Sequence, residues 1–199
     1  MIKKYVLSII YCIVVVSLMP GCDITKQLQG VYNLTNCDYK YHSISNLKLA
    51  DINLSNGISA LNTVKLLAVL NGSSSSLPLD FTLNMDVHNP NVSEAAFKAL
   101  HYIIEIDDIE FTNGSVSQSF NVASGETKQL PLNIGVDLAK LISEHSKDAI
   151  LGIAKNFIGI GNEATNVTVR LKPTFNIGGS LITSPVYVPV KFSFGGEKK

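Results

Sequence analysis

From Cys37 to Phe194, apolar and polar residues alternate over one short segment after another, as in strands with one buried and one solvated face. Cys37, Tyr39 and Tyr41 share a face, with Lys40 and His42 opposite. Leu47, Leu49, Ile52 and Leu54 continue the alternation, and a slip of phase at Ala50-Asp51 predicts a bulge there. The clearest run is Leu79 to Val87, apolar at every odd position. Further strands place Leu100, Tyr102, Ile104 and Ile106 inward, then Val116, Phe120 and Val122, then Leu130, Leu132, Ile134 and Val136. The last two carry Val167, Val169 and Leu171, followed by Val186, Val188, Val190, Phe192 and Phe194.

Asn113-Gly114 and Ser124-Gly125 supply residues that accept positive φ and so predict turns, and Asn89-Pro90-Asn91 predicts an abrupt strand end. Pro131, Pro173 and Pro189 fall in the outward phase of three strands. Proline has no N–H to give a ladder, so those strands are expected at sheet edges or at bulges. Two stacked sheets offer four edges, and an antiparallel β-sandwich accommodates the prolines better than a closed barrel. Two segments break the period. Residues 138–157 put Leu138, Ile142, Ala149, Ile153 and Phe157 on one face, with Lys140, Glu144, Lys147, Asp148 and Lys155 on the other. That pattern predicts one long helix packed on the core. Residues 58–70 are apolar nearly all round and predict a short buried helix, with Asn71–Ser76 as a flexible loop behind it.

The first 22 residues change the picture from a free domain to an exported one. Lys3 and Lys4 precede an apolar run from Tyr5 to Met19, which ends at Pro20-Gly21-Cys22. The run is shorter than the ~20 residues that span hydrocarbon, so it reads as a bacterial export signal. Its ending resembles a lipobox, which implies cleavage between Gly21 and Cys22 and acylation of Cys22. A diacylglycerol and an N-acyl chain, at ~0.8 kcal/mol per buried CH₂, make an effectively permanent anchor. The expected organisation is a lipoprotein signal peptide over 1–21, a tether over 22–35 and one domain over 36–196. The expected location is the bacterial cell envelope, in the outer membrane rather than the inner. Asp23 is the residue that one sorting rule, not general among bacteria, reads as inner-membrane retention.

The chain has 16 basic and 16 acidic residues, and loss of Lys3 and Lys4 with the signal tips the mature balance to −2. Arg170 is the only arginine and the lysines are scattered, so no stripe tracks phosphates and nucleic acid is excluded as a partner class. The cysteines are Cys12, Cys22 and Cys37, which leaves one thiol in the domain and no disulfide framework. Cys37 is expected to pack as a small hydrophobe. No two of His42, His88, His101 and His145 stand at ligand-pair spacing. Glu105, Asp107, Asp108 and Glu110 form the densest acidic cluster. Read as a calcium loop from Asp108, it has Asn113 where glycine is needed and Ser119 where glutamate is needed. A solvated hairpin is the expectation there. Gly159-Ile160-Gly161 lacks the third glycine of a dinucleotide fingerprint, and no G-x-S-x-G elbow or phosphate loop occurs. No catalytic residue, metal site or cofactor is expected.

The stretch around Val87-His88-Asn89-Pro90-Asn91 carries a family likeness. An alternating strand ends in N-P-N, and a second follows through Leu100, Tyr102, Ile104, Glu105, Ile106 and Asp107. Gly114, Ala123-Ser124-Gly125-Glu126 and Leu130-Pro131-Leu132 then come in order. This resembles the late-embryogenesis-abundant group 2 domain, also called the water stress and hypersensitive response domain, in its bacterial lipoprotein form. The match covers roughly 44–194 and is strongest over 79–138. The resemblance implies an immunoglobulin- or fibronectin-III-like sandwich, no catalytic residues, and a role linked to water or envelope stress. The functional expectation is a non-enzymatic, lipid-anchored protein that shields envelope components or docks a protein partner. The alternative is a lipoprotein that binds a small apolar ligand between the sheets or under the 138–157 helix, prompted by the apolar 58–70 segment.

Overall fold

The computed structural model describes residues 29–30, 32–50, 52–55, 64–65, 68, 75–157 and 161–195. The expected signal, the acylation candidate Cys22 and nearly all of the expected 58–70 helix lie outside those residues. The described strands are β1 (Asp38–Leu49), β2 (Ile52–Asn53), β3 (Pro78–His88), β4 (Ala95–Phe97), β5 (Ala99–Ile106), β6 (Ile109–Val116), β7 (Phe120–Val122) and β8 (Thr127–Asp137). Two helices, α1 (Leu138–Glu144) and α2 (Lys147–Phe157), precede β9 (Ala164–Ile177), β10 (Ser180–Thr183) and β11 (Val188–Gly195).

One sheet runs β2-β1-β3-β8 and the other β10-β9-β5-β6, with β11 beside β9, while β4 and β7 form a separate ribbon. Every pairing is antiparallel and neither sheet closes into a barrel. The expected mainly β sandwich is the fold. Its core is the set of inward positions that the alternation marks. Leu79, Phe81, Leu83, Met85 and Val87 of β3 are buried, as are Leu130, Leu132 and Ile134 of β8. Across from them lie Leu100, Tyr102, Ile104 and Ile106 of β5 with Val167, Val169 and Leu171 of β9. Full burial of each such side chain stabilises by about 1.5–3 kcal/mol. Tyr41 of the first sheet stacks on Phe192 of the second, ring centres 5.0 Å apart.

Several local expectations need correction. The phase slip at Ala50-Asp51 is not a bulge. It falls where β1 reverses into β2, with Leu49 paired to Ile52 and Ala50 at φ +48. The bulges of β1 come earlier, at Tyr41/Ser43 and Ser45/Lys48, so the two expected strands merge into one. Asn113-Gly114 is not a turn either. The pair lies inside β6 opposite Ile103 and Tyr102, and the chain reverses at Asp107-Asp108, with φ +48 and +65. Aspartates tolerate the left-handed region, so this two-residue hairpin needs no glycine. Ser124-Gly125 does turn, with Gly125 at φ +71.

Pro131 and Pro189 sit exposed on the edge strands β8 and β11, as expected. Pro173 is instead buried on the interior strand β9. It falls where β9 exchanges β10 for β11 as a neighbour, so no ladder bond is lost. Its carbonyl accepts the Ser184 N–H at 2.8 Å. Val186 is 59% exposed and precedes β11 rather than facing the core.

The expected helix over 138–157 is two helices. His145 is extended (φ −133, ψ 175), and its N–H still bonds to Leu141 O. The first backbone bond of the next helix runs from Ile150 N to Ser146 O, with a favoured N-cap residue at the break. The break rotates the buried face, so Ala149 is exposed and Ile150, Leu151, Ile153 and Ala154 are buried. Asp137 caps α1 and ties it to the chain entering β3, accepting from Ala139 N at 2.9 Å and Leu77 N at 2.8 Å. The helices therefore close one end of the sandwich, and the N-P-N turn closes the other.

Candidate functional site

Asn89 is fully buried at the end of β3. A buried amide must spend all of its hydrogen-bonding capacity or destabilise the fold. Its Nδ2 donates to the carbonyls of Ser93 (2.9 Å), Val122 (3.0 Å) and Ala123 (3.2 Å). Its Oδ1 accepts from Asn91 N at 3.1 Å and Asn91 Nδ2 at 2.8 Å. Its backbone N–H goes to Glu126 O, and its carbonyl accepts Gly125 N. The proline between the two asparagines takes no part in a ladder and forces the exit from β3.

The network reaches beyond the motif. Asn91 Nδ2 donates to Asn33 O at 3.0 Å, and Asn33, itself buried, sends its amide to Ser93 O at 3.1 Å and Glu94 O at 3.0 Å. Leu34 is buried in the core one residue on. The last residues of the expected 22–35 tether thus dock on the sandwich, with 32–35 forming a helical turn. Ser124 Oγ donates to Asn91 O at 2.7 Å, and the Glu126 carboxylate accepts Ala123 N at 2.9 Å. The sequence marks Asn89 and Asn91 but gives no sign of Asn33, whose neighbours in space are some 60 residues away in the chain. The motif's polar atoms are committed to holding three chain segments together.

Cys37 lies beneath this cluster, buried and free, with its Sγ donating to Asn33 O at 3.4 Å. Burial, reinforced by the charge of Asp38, pushes its thiol up to about 11. Tyr39 beside it donates to Leu34 O at 2.8 Å, and burial holds its phenol protonated far above the usual range. Both groups are packing elements with no ionised form near neutral pH.

At the same end an open groove of about 840 Å³ runs between the β4–β7 ribbon and the end of β9. Phe97, Phe120 and Phe175 line it, the first two stacked at 5.3 Å, with Glu94 and Lys98 also in its lining. Asn176 borders the groove with its Oδ1 shielded from solvent and bonded to no described residue. The three phenylalanines come from three strands, and no spacing in the sequence brings them together. Between the sheets, by contrast, the gap lined by Phe81, Ile104 and Phe192 is about 10 Å³, no more than a single water's room. Room for a ligand exists at the groove and not in that gap.

The other singled-out side chains are dispersed. His42 Nδ1 meets Asp86 Oδ2 at 3.0 Å and its Nε2 meets Gln129 Nε2 at 3.0 Å, on the solvated face of the first sheet. His88 pairs with Thr127, while His101 and His145 are exposed. Asp107 accepts Asn166 N at 2.9 Å, so the acidic hairpin is tied to β9. Glu105 forms a two-pronged pair with Arg170 across β5 and β9. Among the described residues no three His, Cys, Asp or Glu side chains gather as metal ligands. Among them, too, no helix is long and apolar enough to cross a membrane.

No protein-family profile matches the chain. No curated protein matches it either. Among solved structures it is similar to a protein of Archaeoglobus fulgidus at 14% identity, covering 79% of this chain and 98% of that one, TM-score 0.37. A protein of Arabidopsis thaliana is similar at 10% identity over 79% of this chain and 80% of that one, TM-score 0.41. A protein assigned to the late-embryogenesis-abundant class is similar at 13% identity over 94% and 86%, TM-score 0.38. At these identities and scores neither function nor kinship follows from the likeness.

Proposed function

We propose that this chain is a non-enzymatic, lipid-anchored protein of the bacterial envelope, tethered through Cys22, which protects or docks envelope components under water or envelope stress. The observation that carries the reading is how the N-P-N residues are used. The polar side chains the sequence marks most strongly, Asn89 and Asn91, are spent on the protein's own backbone and on each other. A pole built that way is a rigid support, and a protein made of such supports works through its surface. The lipobox-like ending at Cys22 supplies the anchor, and the resemblance of the N-P-N strand pattern to the water-stress domain supplies the physiological setting. Survival after controlled drying tests it, in a deletion strain complemented with the wild type or with Cys22→Ala. Rescue by the wild type alone supports an anchored protective role. Equal survival of all strains contradicts it.

A second reading is favoured by the groove. Its aromatic lining and the unpaired Asn176 Oδ1 suit a small, largely apolar ligand that brings one hydrogen-bond donor. Native mass spectrometry of delipidated mature protein purified from its host tests that reading. A reproducible non-covalent adduct supports it, and a bare mass counts against it.

A further inference from the structure

Seven large apolar side chains among the described residues are left exposed, and six of them gather at or beside the N-P-N end. Tyr32 (68% exposed) and Val92 (91%) project from the docked helical turn and the N-P-N loop. Leu181 (71%) and Ile182 (47%) sit on β10, in register with the groove residues Asn176 and Phe175. Val186 and Tyr187 follow along the same sheet edge, with Lys172 Nζ lying over the Tyr187 ring at 5.1 Å. The seventh, Val64, lies on none of the strands of the sandwich. Isolated exposed valines need no explanation, but a gathering at one end does.

The direction of the chain says what that end faces. Gln29 and Gly30 line the groove at this pole, so the path to Cys22 leaves from here. Six residues lie between Cys22 and Gln29, and the seven steps from one to the other span at most about 25 Å fully extended. β3 alone, with 11 residues, is about 36 Å long. A bilayer that holds Cys22 is therefore within reach of the N-P-N pole, while the helical end stands away from it. We propose that this pole is a membrane-docking face. Tyr32, Val92, Leu181 and Ile182 enter the headgroup–acyl boundary and hold the sandwich upright on the bilayer. The four inserted side chains carry no charge, and Lys98 and Glu94 at the groove offset one another, so the contact is mainly apolar in origin, with Lys172 beside Tyr187 adding a modest salt-sensitive part.

The inference rests on the anchored reading above but is read out separately. The chain has no tryptophan, so a single introduced one reports its own position. Leu181→Trp marks the proposed face and Glu163→Trp, exposed immediately before β9, marks the opposite end. Both full mature proteins are mixed with phosphatidylethanolamine–phosphatidylglycerol vesicles carrying brominated acyl chains, and an intact mass records whether Cys22 is acylated. Quenching of Leu181→Trp several-fold above Glu163→Trp is the expected result, and adding Ile182→Asp should bring the Leu181→Trp quenching down to the Glu163→Trp level while the acyl anchor keeps the protein on the vesicle. An acyl mass with equal quenching at both positions overturns the docking face and leaves the anchor. Differential quenching without an acyl mass keeps the face and removes the anchor. A concentration-dependent blue shift of Leu181→Trp without vesicles, with no quenching in them, assigns the patch to a second copy of the chain and overturns the proposal. Unchanged melting temperatures show that the substitutions left the fold intact.

Discussion

The ring of Tyr102 lies across Gly114 on the neighbouring strand, and its hydroxyl donates to Asn133 O at 2.8 Å in the opposite sheet. A Cβ at Gly114 would stand 2.5 Å from the Tyr102 Cζ and would collide with its oxygen as well. The ring is fixed at both ends, by its own strand and by the bond to β8, so it has nowhere to move. Gly114→Ala is expected to destabilise the protein by about 1–3 kcal/mol. Tyr102→Phe loses only the bond between sheets, about 1 kcal/mol. In the double variant the clash remains, because Cζ is as close as the oxygen. Urea denaturation of the three variants checks this, and a Gly114→Ala protein as stable as wild type would contradict it.

That relationship explains why Asn113-Gly114 misleads as a turn signal. A glycine that follows asparagine between apolar runs has the residues of a hairpin turn, yet here it is kept free of a side chain by a tyrosine on the next strand. The reversal falls instead to Asp107-Asp108, which composition marks only as an acidic cluster. Where a strand has one buried face, as in Leu79–Val87, the period settles it. Where the cause is a contact between distant segments, as at Pro173 or at the three phenylalanines of the groove, nothing local records it. The helix over 138–157 sits between these cases. Its apolar spacing is real, but His145-Ser146 breaks it and turns Ala149 out to solvent. Of the N-P-N pole, Asn89 and Asn91 are legible and Asn33 is not.

Asn89 carries a larger prediction. Removing its amide takes a donor from the carbonyls of Ser93, Val122 and Ala123, of which Ser93 O keeps Asn33 Nδ2 and Ala123 O keeps Glu126 N. With a buried group left unpaired at about 1–3 kcal/mol, Asn89→Ala is expected to lose about 1–3 kcal/mol in denaturant titration. Asn89→Asp turns a donor facing three carbonyls into a charge facing them, so its carboxyl is raised in the fold. The variant is then more stable relative to wild type at low pH and loses that stability as pH rises. A pH-independent deficit would count against the geometry.

Asp137 has the opposite sign. Its carboxylate accepts from Leu77 N, Ser76 Oγ and Ala139 N, and those bonds hold it below the usual range. Asp137→Ala is expected to cost about 1 kcal/mol near neutral pH, as a lost N-cap. A group depressed in the fold stabilises above its unfolded pKa and ceases to as pH falls through the folded one. The gap between wild type and Asp137→Ala should therefore narrow below about pH 4. Thermal melts from pH 7 to pH 2 measure it.

Cys37 should be silent in the native protein. With its thiol pushed up to about 11 and its sulfur buried, almost no thiolate is present or accessible at pH 8. Iodoacetamide is expected to label it in urea and to leave it untouched in buffer over the same time. Rapid native labelling would mean that the docked 32–37 segment opens readily.

The anchored, surface-acting account depends first on what happens at Cys22. The most direct measurement is the intact mass and N-terminal sequence of the mature protein taken from the membrane fraction of its host. The account predicts a chain that begins at Cys22 and carries a diacylglycerol and an N-acyl chain, with Cys22→Ala failing to reach that form. A mature N-terminus elsewhere, with no acyl mass and the protein recovered in the soluble fraction, would contradict it.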